Sequence, residues 1–127
     1  MRLVVFSSIA LTLFHFADNT IYIDTYPKAG WQPDWFSAVV VVAWFAYTAV
    51  GIVAVRLYQA GRLRSGRPLL LIYGYLVISS LGHFFYGSPA DLTTRALVSV
   101  LIDTVAGSAV IGVALWSIVT RGRTAAP

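Results

Sequence analysis

Long apolar stretches separated by three short polar ones organise this chain. Leu3 to Tyr22, Trp35 to Tyr58, Pro68 to Tyr86 and Ala96 to Val119 are each near the ~20 residues that carry an α-helix across about 30 Å of hydrocarbon. The pattern predicts an all-α fold: an integral membrane four-helix bundle with spans at 3–22, 35–58, 68–86 and 96–119, forming one domain over 1–127. Ile23 to Asp34 holds Pro27, Gly30, Pro33 and Trp31, a turn-rich segment suited to a membrane interface. Gln59 to Arg67 is basic and contains two glycines. Gly87 to Arg95 begins Gly-Ser-Pro and offers Asp91 as N-cap of the last helix. Arg2 before an apolar run is also how a secretory leader starts. No small-x-small cleavage pattern follows, and His15-Phe16 stands where one is expected, so the run reads as the first span.

Composition turns this from a buried-core reading into a membrane one. Apolar residues make up 58% and charged residues 11%, against about 25% charged in an average soluble domain; mean hydropathy is +0.77. A net charge of +4 on such a chain does not mark a nucleic-acid binder. The lack of cysteine excludes disulfides, thiolate metal sites and thiol catalysis. Arg2, Arg56, Arg62, Arg64, Arg67, Arg121 and Arg123 fall on the side shared by the termini and the second connection, leaving Lys28 and Arg95 opposite. By the positive-inside rule both termini are expected in the cytoplasm. The bias for Arg over Lys, with abundant Ala, Val and Gly, suits a bacterial plasma membrane.

The acids sort the other way. Asp18, Asp24, Asp34, Asp91 and Asp103, with His15 and His83, all lie in the half opposite the arginine cluster. Asp24 and Asp34 sit in a wet loop. Asp18 and Asp103 fall inside apolar spans, where an ionised carboxylate costs at least ~2.5 to 3.5 kcal/mol and normally faces the bundle interior, a partner or water. His15, Asp18, Asn19 and Tyr22 share one face of the first helix, and Ser8 and Thr12 continue it. Tyr75, Ser79, His83 and Tyr86 form a similar stripe on the third helix, and Ser99, Asp103 and Gly107 on the fourth. Trp44, Tyr47 and Thr48 line the second. Gly51, Gly74, Gly82, Gly107 and Gly112 read as helix-packing positions.

The pattern predicts an outer-half polar pocket that binds a hydrophobic small molecule, of sterol, isoprenoid or lipid type. Its acid/base candidates are His15, Asp18, His83 and Asp103, and its ligand contacts Asn19, Tyr22, Asp24, Trp44, Tyr47, Ser79 and Tyr86. A histidine beside a carboxylate in a dry pocket makes a tunable acid/base, the equipment for double-bond isomerisation. The bland alternative pairs His15 with Asp103 or His83 with Asp18 as glue, but interhelical hydrogen bonds average only ~0.6 kcal/mol. No cofactor is expected; the alternative is a divalent metal on His15, His83, Asp18 and Asp103, or a haem between the two histidines. No HxxxH spacing supports either. A small accessory subunit meeting another membrane protein, or a second copy, is a third reading. The polar stripes stop short of the arginine half, which argues against a channel.

The run from His15 to Pro27, Pro33-Asp34-Trp35-Phe36, Pro68 to Tyr75 and Leu97-Val98-Ser99-Val100 together resemble the EXPERA group, the membrane family of the sigma-2 receptor and the emopamil-binding sterol isomerase. His15, then Asn19-Thr20-Ile21-Tyr22-Ile23-Asp24 and Pro27, is similar to that family's first-helix pattern. Pro33-Asp34-Trp35-Phe36 resembles the start of its second helix, Pro68 to Tyr75 that of its third, and Leu97-Val98-Ser99-Val100 that of its fourth. The resemblance implies a four-helix core with cytoplasmic ends and a cavity reached from the bilayer, binding sterols and cationic amphiphiles through acidic residues. It makes Asp24 the first-helix acid, where the residue pattern itself prefers Asp18. The family's second-helix glutamate falls near Ala43.

Overall fold

A computed structural model describes residues 1–27, 30, 32–33 and 35–122. Lys28, Trp31, Asp34 and Arg123, which entered the charge and interface arguments, lie outside the described residues. The described chain is all-helical, with no strand. Helix α1 spans Arg2–Ile21, α2 Phe36–Gln59, α3 Leu63–Ile78 and α4 Thr94–Gly122. A 3-10 segment, Ser79–Phe85, prolongs α3, and short 3-10 turns occupy Ile23–Thr25 and Pro89–Asp91. Four helical stretches are long and apolar enough to cross a membrane: Arg2–Ile21, Phe36–Gln59, Leu63–Phe85 and Thr94–Thr120. They close an up-and-down ring, α1 against α2 and α4, and α3 against α2 and α4.

Short connections enforce this order. The α2–α3 turn is a Schellman cap in which Arg62 N–H reaches Leu57 O at 2.9 Å and Gly61 N–H reaches Tyr58 O at 3.2 Å. Gly61 sits at φ 74, where a side chain is strained. The turn is so tight that α3 begins at Leu63, five residues ahead of the expected Pro68. Pro68 therefore lies inside the helix, and Arg64 and Arg67 stand on it rather than in a loop. At the other end of the bundle Asp91 does not cap α4. Its carboxylate accepts Ser88 N–H at 2.6 Å and closes a capping box on the preceding 3-10 turn. Thr93 takes the expected role, its hydroxyl accepting Ala96 N–H at 3.2 Å.

The arginine half is packed dry. Val5, Ala54, Val55, Leu70, Tyr73, Val77, Ala106, Val110 and Ala114 form one buried cluster. Small residues let α3 and α4 touch backbone to backbone: a Cβ added at Gly107 would stand 2.7 Å from Gly74 O. Gly51 likewise makes room for the Tyr73 ring, whereas Gly82 and Gly112 face open space and are not packing positions. Arg67 Nη2 donates to the Ser117 carbonyl, tying α3 to α4 near the arginine end. On the outside, Leu3, Ile21, Val42, Phe45, Val105 and Trp116 stand exposed. Large apolar side chains thus point outward while serine, threonine, histidine and aspartate are buried.

Candidate functional site

The polar face of α1 turns inward. Ser8, Thr12, His15, Asp18 and Asn19 are all buried, as spacings of three and four require on one side of a helix. Tyr22, at the end of that stripe, is half exposed and lies beneath the Arg95 guanidinium, 3.3 Å from its ring centroid.

Two groupings emerge from this face. In the first, the Tyr26 hydroxyl donates to Asp18 Oδ2 at 2.6 Å and lies 2.9 Å from Ser99 Oγ. Arg95 Nη1 completes the Asp18 carboxylate at 3.1 Å. Burial, and then the hydrogen bond to Asp18, push the Tyr26 phenol above its ordinary pKa, so it remains a donor. Ser99 Oγ also lies 2.8 Å from Ala96 O and 3.1 Å from His15 Nδ1. Ser99 has one proton, which serves the Ala96 carbonyl or Tyr26. With the Ser99 proton on the Ala96 carbonyl, a neutral His15 protonated on Nδ1 donates to Ser99 and keeps Nε2 as its basic nitrogen.

The second grouping lines a cavity of about 280 Å³ between α1, α2 and the 3-10 segment. His15, Asn19, His83, Tyr47, Ser79 and Tyr86 border it, with Phe16, Phe36, Val40, Ala43 and Leu76 as apolar wall. Asn19 Nδ2 donates to His83 Nε2 at 3.0 Å, which places the neutral His83 proton on Nδ1. The two imidazoles meet edge to face with centroids 5.7 Å apart. Tyr26 covers them, its ring 4.6 Å from that of His83. Asn19 Oδ1 is buried with no hydrogen-bond partner. The cavity rim thus combines a proton acceptor on His15, a donor on His83 and an unused amide oxygen within an apolar enclosure.

Several expected members lie elsewhere. Asp18 is turned toward Tyr26 and Arg95 because α1 places it a turn away from His15 toward the start of α4. Asp103 is fully buried among the helices, and both its oxygens lack hydrogen bonds. Neither carboxylate borders the cavity, and the His15–Asp103 and His83–Asp18 pairs do not form; the histidines take Ser99 and Asn19 instead. Trp44 borders a separate apolar groove with Leu13, Phe16 and Phe45. Asp24 is exposed on its 3-10 turn. The Tyr75-to-Tyr86 stripe is broken at Ser79, where winding changes to three residues per turn; Tyr75 is exposed. Among the described residues, no three His, Asp or Glu side chains gather as metal ligands.

Tyr26 and Arg95 were not anticipated as site residues. Tyr26 lies beyond the end of α1, in a turn that folds back, where helical periodicity carries no signal. Arg95 stood out only as one of two bases on the acidic side, and that isolation beside a buried acid was the available clue. No protein-family model, curated protein or solved structure matches the chain.

Proposed function

We propose that the chain is a four-span membrane protein, both termini cytoplasmic, whose cavity binds a hydrophobic small molecule carrying a neutral polar end such as a hydroxyl or carbonyl. The outward apolar surface and inward polar one favour lipid as the surroundings. Arginines at the starts of α1 and α3 and the end of α2 gather at one end of the ring, which favours that orientation in a bacterial plasma membrane.

One observation carries the ligand reading: His15, Asn19 and His83 converge on the cavity, while the buried carboxylates do not. Among the described residues a cationic head would find no counter-charge there, and Ala43 is part of the wall. A hydroxyl or carbonyl finds both a donor and acceptors, and the hydrocarbon remainder meets Phe16, Phe36, Val40 and Leu76. The same pair of imidazoles is equipped to remove a proton from one carbon of such a molecule and return one to another, the acid/base isomerase reading.

The test is mass spectrometry of what the protein retains in mild detergent, followed by refilling the delipidated protein with a neutral sterol alcohol and with a matched ammonium amphiphile. The alcohol is expected to bind more tightly. Asn19→Leu with His83→Leu is expected to weaken it about tenfold, as loss of a buried hydrogen-bonding partner does. Preference for the ammonium compound, or equal retention by the variant, overturns the reading. Turnover in heavy water that leaves deuterium on ligand carbon would establish the isomerase activity.

A further inference from the structure

Asp103 is the unabsorbed feature of the bundle. It lies nine residues into α4, about 14 Å along its axis, is 0% exposed, and makes no hydrogen bond through either oxygen. No lysine, arginine or histidine pairs with it among the described residues; Arg95 is committed to Asp18 and Arg67 to Ser117.

Its surroundings sharpen the problem. Facing it from α1 is Thr12, whose hydroxyl is near enough to hydrogen-bond the carboxyl, and from α3 Tyr73, within electrostatic reach. The Thr12 proton goes to the Ser8 carbonyl at 2.6 Å, and the Tyr73 proton to Ser8 Oγ at 3.2 Å. On its own helix Ser99, one turn toward the acidic end, is occupied by Ala96, Tyr26 and His15. With the Thr12 proton on the Ser8 carbonyl, Asp103 is presented with oxygen lone pairs; a carboxylate there gains a donor only by drawing the Thr12 hydroxyl off that carbonyl. A carboxylate there would face like partial charge on two sides in a medium that screens little. A proton on the carboxyl turns one of its oxygens into a donor. A proton needs no cavity, and Asp103 borders neither the histidine cavity nor the grooves at Trp44, Leu101 and Pro68.

We propose that Asp103 is a proton-binding site: its neutral carboxyl sits in the α1–α4 seam against Thr12, supplying the donor that the hydroxyls there lack. Release of this proton leaves a carboxylate against the Thr12 and Tyr73 oxygens and loosens the seam. His15 stands one turn along α1 from Thr12 and bonds across the same seam to Ser99, so the proposed site lies directly beneath the cavity's histidine. This assignment does not depend on what the cavity holds.

Infrared spectroscopy of the full chain in lipid at neutral pH tests it. The expected result is a neutral-carboxyl stretching band that shifts in heavy water, disappears in Asp103→Asn, and moves to higher frequency in Thr12→Val. A wild-type spectrum without that band, or a band that Asp103→Asn retains, overturns the proposal. A band that sodium ions abolish also overturns it and assigns the seam to a monovalent cation. Should Asp103→Asn fail to fold, Thr12→Val decides: an unmoved band removes Asp103 from the seam.

Discussion

The two halves of the bundle solve opposite problems with the same four helices. Toward the arginine end, α3 and α4 approach until Gly107 and Gly74 leave no space for a methyl group, and the buried cluster is aliphatic apart from Tyr73, with the small hydroxyls of Ser8 and Ser117 beside it among the described residues. Toward the acidic end the helices part around a cavity, and the side chains between them are His15, Asn19, Ser99, Asp18 and His83. The contrast teaches that stability and chemistry are separated along the axis. The dry half holds the helices in register, so the wet half can keep unpaired hydrogen-bonding groups and empty volume.

Breaking the dry half should have the largest effect. Gly107→Val forces α3 and α4 apart and is expected to cost about 3 kcal/mol, the upper range for overpacking, read as thermal unfolding in detergent. Gly82→Ala, at the acidic end in open space, should stay within about 0.5 kcal/mol and serves as its control. Equal effects of the two would erase the distinction between the halves. Tyr26→Phe removes the donor to Asp18 and is expected to cost about 2 kcal/mol, as for a hydrogen bond to a buried charged group. Because the Tyr26 pKa is raised in the fold, its contribution is complete below the ordinary tyrosine value of 10.0 and fades as pH climbs above it. An alkaline absorbance titration should show a late-titrating component that Tyr26→Phe diminishes. Thr93→Ala, which removes only the α4 cap, should cost about 1 kcal/mol and leave ligand retention unchanged.

The helices were legible because each obeys a rule that acts locally: an apolar run of membrane length, with boundaries at Tyr22, Trp35 and Tyr58 that differ from the structure by one residue. The start of α3 was not, because Pro68 marks a common helix boundary and only the tight cap at Gly61 makes it an interior residue. The inward face of α1 followed from spacing. Which neighbour each polar group met did not, since that depends on ring order and on the fold-back of Tyr26 rather than on any one helix. Insertion cost singled out Asp18 and Asp103 as the unusual residues, but cost does not say where a carboxylate points; one found Arg95 and Tyr26, the other neither.

The 3-10 segment after Ile78 has a bearing on His83 beyond interrupting a stripe. Each residue there advances about 120° and 2.0 Å, where an α-helix advances about 100° and 1.5 Å. Over the four steps from Ser79 to His83 the difference amounts to about 80° of rotation and about 2 Å of travel. Rewound as α-helix, the same sequence would swing the imidazole nearly a quarter turn from Asn19. The winding of seven residues acts as a cam, and the aim of His83 is a property of backbone pitch as much as of the histidine itself.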